Sequence, residues 1–147
     1  MTEIFESIYA LPYVSTANVL LSSVAIAAVL IYLPYLAVGL GRFQAGYDMS
    51  APRALFDKLP DYAQRATWAH QNSFESFSLY APAALMAFFV GLPAELVLTS
   101  AVMYLISRVT YSLFYILNVP ILRSISWAIS MSSIFSLFFN SCKAAVG

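Results

Sequence analysis

Arg65, Trp68, Asn72, Glu75 and Leu79 follow one another at spacings of three or four residues. On a helix these positions share a face, which then carries a cation, an indole, an amide and a carboxylate within about three turns. A second stripe, Arg108, Tyr111 and Tyr115, has the spacing i, i+3, i+7, and Arg123 follows it. Arginines bind carboxylates, tyrosine hydroxyls donate hydrogen bonds, and Asn and Glu take an amine or peptide groups. Together these residues suit a small zwitterionic or anionic ligand held between helices. An arginine or a tyrosine hydroxyl beside a thiol sulfur also favours the thiolate, its nucleophilic form. Residue types alone leave a second reading open: Glu75 and Arg108 as a structural ion pair between two helices, with Asn72 as an interhelical hydrogen-bonding group.

The elements that must position these residues are membrane spans. A helix needs about 20 mostly apolar residues to cross the hydrocarbon core. Four stretches qualify, at about 18–40, 62–90, 94–117 and 119–139. Each is longer than a strand requires and lacks the alternation of a membrane barrel. The expected fold is therefore an all-α membrane protein, a four-transmembrane-helix bundle formed as a single domain over 1–147. Gly39-Leu40-Gly41 is expected to end the first span, and a polar loop from Arg42 to Asp61 follows, with Pro52 and Pro60. Gly91-Leu92-Pro93 and Asn118-Val119-Pro120 form tight turns, which make antiparallel neighbours of the spans they join. Pro34 and Pro82 fall inside spans, where membrane helices tolerate proline and can kink.

Composition agrees. Only 10% of the residues are charged and 61% are hydrophobic, against about 25% charged in an ordinary soluble domain. Lipid must replace water over much of the surface. The formal net charge of +0 argues against nucleic acid as a partner. One cysteine, Cys142, allows no intrachain disulfide, and with His70 as the only histidine a protein-only zinc site is not expected. The start, Met1-Thr2-Glu3-Ile4-Phe5-Glu6, has acidic charges where a signal peptide has basic ones, so the first apolar run reads as a retained span. Arg42, Arg53, Lys58, Arg65 and Arg123 fall on one side of the membrane, while Lys143, Glu3, Glu6 and Glu95 fall on the other. The positive-inside rule makes the 42–61 loop cytoplasmic and puts both termini opposite. Arg65 and Arg123 should then lie at similar depth, with Glu75 and Arg108 deeper.

Trp68-Ala69-His70-Gln71-Asn72-Ser73-Phe74-Glu75 resembles the Arg-Ala-His-Gln-Asn-x-x-Glu signature of the MAPEG family, the membrane-associated proteins in eicosanoid and glutathione metabolism. Arg108-Val109-Thr110-Tyr111, then Tyr115, Pro120 and Arg123-Ser124, is similar in spacing to the third-and-fourth-helix segment of the microsomal glutathione transferase 3 branch. The resemblance implies a homotrimer that binds glutathione as co-substrate at subunit interfaces and takes a lipophilic substrate from the lipid bilayer. The activity implied is a glutathione transferase or peroxidase acting on lipophilic electrophiles or lipid hydroperoxides. Carried over position by position, Asn72 and Glu75 look like ligands of the glutathione backbone, and His70 stands where a polar side chain often joins them. Arg108, Tyr111 and Tyr115 look like the third-helix ligands, and Arg123 like the group that stabilises the thiolate. Trp68 departs from the pattern, which has arginine there. Arg65, one turn earlier, is the residue that could replace that cation. The departure keeps a second function open: a non-catalytic binding or structural subunit of a larger membrane complex. A transporter is disfavoured, because the chain has no repeated half.

The remaining polar and aromatic residues have simpler readings. Tyr9, Tyr13, Tyr32, Tyr35 and Trp127 read as belt or packing residues. Ser22, Ser23, Ser130, Ser132 and Ser133 read as small helix-packing positions.

Overall fold

The computed structural model describes residues 15–147. Glu3, Glu6, Tyr9 and Tyr13, which entered the charge and belt readings, lie outside the described residues. The described chain is helical, with helices α1 (Thr16–Leu30), α2 (Leu33–Gln44), α3 (Asp61–Val90), α4 (Ala94–Ile116) and α5 (Pro120–Val146), plus a short 3-10 turn at Phe56–Lys58. α1 and α2 together form one candidate span, Thr16–Gln44, and α3, α4 and α5 supply the other three. The bundle expected from hydropathy is the fold observed.

Three boundaries differ from the sequence reading. The first span is two helices rather than one. Pro34 has no N–H, so the carbonyl of Leu30 cannot receive its helical bond, and the chain tightens instead: Tyr32 N donates to Val29 O and Tyr35 N to Tyr32 O, both at 3.0 Å. Pro82, by contrast, does not interrupt α3. Gly39-Leu40-Gly41 does not end the span either, since α2 continues to Gln44. Gly41 is there for closeness: a Cβ on it would collide with the Cβ of Ala63 on α3. The fourth span, α5, runs on to Val146, well past 139. At 27 residues it is about 40 Å long, more than the roughly 30 Å hydrocarbon core.

The turns behave as their residues dictate. Gly91 caps α3 in the left-handed conformation at φ 65, and Leu92 N returns to Ala87 O at 3.1 Å. Asn118, at φ 59, plays the same part between α4 and α5, with Val119 N bonded to Phe114 O at 2.9 Å. In the long loop, the Ser50 hydroxyl and N–H both donate to Asp48 and hold its carboxyl below its ordinary pKa.

α3 is central and touches all four other helices. Its buried face is small: Ala63, Ala66, Ala69, Ser73, Ser76, Ala83, Ala84 and Ala87, with Tyr80 the one large member. Lipid gives helices no hydrophobic reason to associate, so close approach over small residues and a few hydrogen bonds must do it. The middle of the bundle shows both. Tyr80 and Tyr104 stack with centroids 3.7 Å apart, Tyr80 donates to Ser23 Oγ at 2.7 Å, and the Tyr104 and Ser76 hydroxyls are 3.2 Å apart. One stacked pair thereby ties α1, α3 and α4 together.

Candidate functional site

Arg108 organises the polar cluster. It sits on α4 and is only 4% exposed, while its Nη2 crosses to α3, donating to Asn72 Oδ1 at 3.2 Å and to Ser73 Oγ at 3.1 Å. The other side of the Asn72 amide donates to Glu75 Oε2, also at 3.2 Å. Among the described residues Glu75 and Arg108 form no direct ion pair, which corrects one half of the second reading of the sequence, while Asn72 makes the interhelical hydrogen bond that the other half expected. The amide stands between the charges as a relay, donor to one and acceptor from the other. Arg108 Nη1 is buried without a hydrogen-bond partner among the described residues.

The cluster continues along α4 as a ladder of rings and cations. The Arg108 guanidinium lies 4.3 Å from the centre of the Tyr111 ring, and Tyr111 and Tyr115 meet edge to face at 5.5 Å. Arg123, on α5, covers Tyr115 at 4.6 Å. Such cation–ring contacts hold a guanidinium in place without using up its hydrogen-bond donors. Glu75, Asn72, Arg108, Tyr111, Tyr115 and Arg123 are thus one connected row, assembled from α3, α4 and α5.

Three residues of the sequence reading stand apart from that row. Arg65 donates through Nε to the Ile116 carbonyl at 3.1 Å, where it caps the end of α4. Trp68 is packed between Phe56 of the loop, at 5.8 Å, and Tyr115, at 6.5 Å. It borders the cluster with an apolar ring where the family signature has a cation. His70 faces the other way. Its Nδ1–H donates to Ile31 O at 2.7 Å, the carbonyl that the break between α1 and α2 leaves free, and its ring meets those of Tyr35 at 4.9 Å and Phe74 at 5.1 Å.

Ser73 is the member of the cluster that the spacing argument missed. It lies within the quoted motif but off the face of Arg65, Asn72 and Glu75. Its signal was the heptad of inward positions Ala66, Ser73, Tyr80 and Ala87, all buried. An arginine reaching between α3 and α4 meets that face first.

These features define a class: a multi-pass helical membrane protein with a guanidinium-rich polar cluster between its spans. The sequence model of the MAPEG family matches residues 19–142, and the chain belongs to that family. No curated protein matches the sequence.

Proposed function

We propose that the chain is a membrane-bound glutathione transferase or peroxidase, acting on lipophilic electrophiles or lipid hydroperoxides, and that the row from Glu75 to Arg123 is its glutathione site. Family membership supports the class of activity, since MAPEG proteins generally use glutathione. The spacing of Arg108, Tyr111, Tyr115, Pro120 and Arg123 supports the microsomal glutathione transferase 3 branch. The observation that carries the reading is Arg108: a buried guanidinium whose protein partners are uncharged and whose Nη1 is unpartnered. A buried cation is stable only when an anion or several acceptors meet it, and a carboxylate of the tripeptide supplies them.

Each residue then has a role. Arg108 takes a carboxylate, Asn72 and Glu75 take the peptide backbone and the amine, and Tyr111 and Tyr115 add hydroxyl donors. Arg123 stabilises the thiolate, and a lowered thiol pKa is most of what attack on an electrophile requires. His70, implied by the resemblance, and Arg65, the possible substitute for the missing family arginine, are engaged elsewhere in the fold and would act on the ligand only by giving up those bonds.

The site also supports an oligomer. Glu75 is exposed at the flank of α3, about 21 Å along it from Asp61. A carboxylate facing lipid at that depth is costly, whereas one facing a neighbouring subunit across a bound ligand is not. We therefore propose the homotrimer of the family, each copy being one membrane domain over 1–147. The cations Arg42, Arg53, Lys58, Arg65 and Arg123 support a cytoplasmic 42–61 loop and termini on the opposite side.

A second reading, a non-catalytic subunit of a larger membrane complex, is favoured by one observation: Trp68 puts an uncharged ring, 43% exposed, where the family pattern has a cation. Calorimetry with glutathione on the detergent-solubilised protein decides between the two. The expected result is binding that Arg123→Ala and Glu75→Gln both abolish. No binding at millimolar glutathione would sink the transferase and leave the structural subunit.

A further inference from the structure

Ser73 touches Arg108 from a place that a ligand cannot reach. It lies on the inward face of α3 with Ala66 and Ala69, and is only 5% exposed. Its hydroxyl takes part in two hydrogen bonds of opposite sense. The hydrogen goes to the Ala69 carbonyl, one turn back along α3, at 2.9 Å. A serine hydroxyl has a single hydrogen to donate and two lone pairs. With that hydrogen committed to its own helix, only lone pairs are left to face α4, and Arg108 Nη2 donates to them at 3.1 Å.

That bond helps to decide which way the guanidinium points. Nη2 carries two hydrogens, and Asn72 Oδ1 at 3.2 Å and Ser73 Oγ at 3.1 Å are its two acceptors. They belong to consecutive residues of α3, so they grip the group from one side. The guanidinium is planar and rigid, and fixing Nη2 therefore fixes Nη1 as well. Tyr111, with its ring centre 4.3 Å from the guanidinium, cannot do the same. A cation–ring attraction holds the charge near the ring face but does not select which nitrogen points where. With Nη2 saturated toward α3, Nη1 is the nitrogen left over, with no hydrogen-bond partner among the described residues.

We propose that Ser73 is a positioning residue of the ligand site: it orients Arg108 so that Nη1, and not Nη2, meets a carboxylate of the ligand. The inference rests on the glutathione reading of the row and adds to it a residue that never contacts glutathione. Without the Ser73 hydroxyl, one Nη2 hydrogen has no acceptor on α3. Ala66, Ala69 and residue 73 are buried, so the ligand cannot supply the missing acceptor from that side. The guanidinium then turns to find another, and Nη1 loses its aim. Ser76 provides the contrast. It is buried on α3 as well, and its hydroxyl also bridges to α4, but its partner is the Tyr104 hydroxyl at 3.2 Å.

The test is glutathione calorimetry on the purified full chain in detergent, comparing Ser73→Ala, Ser73→Cys and Ser76→Ala with the unaltered protein. Ser73→Ala and Ser76→Ala each remove one buried hydrogen bond between α3 and α4, so a merely structural role would affect binding equally in both. Only Ser73→Ala should weaken glutathione binding, by about tenfold, near the lower end of what a hydrogen bond to a charged group contributes. Ser73→Cys keeps the bulk and offers only a weak acceptor, so it should bind as Ser73→Ala does. Undiminished affinity in Ser73→Ala, equal losses in Ser73→Ala and Ser76→Ala, or full affinity in Ser73→Cys would overturn the positioning role and leave the glutathione site standing. No binding by the unaltered protein would overturn the glutathione reading itself, and the positioning role with it.

Discussion

Where α3 meets α4, Asn72, Ser73 and Glu75 are drawn into a row around Arg108, and one buried guanidinium nitrogen is left without a partner. Where α3 meets the break between α1 and α2, the polar group is His70, and its Nδ1–H is engaged, closing on the carbonyl freed by the Pro34 break. Both sides put polar atoms within a membrane-spanning helix. On one they leave a buried guanidinium donor unsatisfied, and on the other they repair the backbone. A polar residue in a span is thus a pointer to function only after its local partners have been counted.

The comparison can be broken most sharply at Arg108. Arg108→Gln keeps a side chain able to hydrogen-bond Asn72 and Ser73 but removes the charge. Glutathione affinity should fall about a hundredfold by calorimetry, the upper end of the range for a charge-assisted contact, because this guanidinium is buried. An unchanged affinity would mean that the α4 side is as structural as the other.

On the α2 side the largest expected effect is steric. Gly41→Ala drives a methyl group into Ala63, and should cost about 1–3 kcal/mol of stability, read as a lower unfolding temperature in detergent. Little change would show that α2 and α3 can separate freely.

Trp68→Arg, on the α4 side, restores the cation of the family signature next to Tyr115. It should tighten glutathione binding about tenfold, and weaker binding would favour the structural-subunit reading.

The smallest effect belongs to His70→Phe. The new ring keeps the contacts with Tyr35 and Phe74 and loses only the bond to Ile31, so stability should drop by about 0.6 kcal/mol, the mean for an interhelical hydrogen bond in a membrane protein. Glutathione affinity measured on the same variant sharpens the contrast. If it stays constant, the α1–α2 side is structural, and a fall would give His70 the ligand role that the family resemblance implies.

By itself the sequence determined the four membrane crossings, their helical form and the turns at Gly91 and Asn118. Each of these rests on local chemistry: long apolar runs cannot leave backbone groups unpaired in lipid, and left-handed turns need Gly or Asn. Spacing also placed Asn72 with Glu75 and Arg108 with Tyr111 and Tyr115, since a helix repeats every 3.6 residues whatever surrounds it. Tertiary structure decided the rest, because hydrogen-bond partners come from other helices and side chains choose among several within reach. It put the Asn72 amide between Glu75 and Arg108, brought Ser73 into the cluster, and turned Arg65 to the end of α4. It gave His70 to a carbonyl on the first span. It also made Gly41 a contact point rather than a terminus, which no local pattern could reveal, because the reason for that glycine is a methyl group on Ala63 of α3.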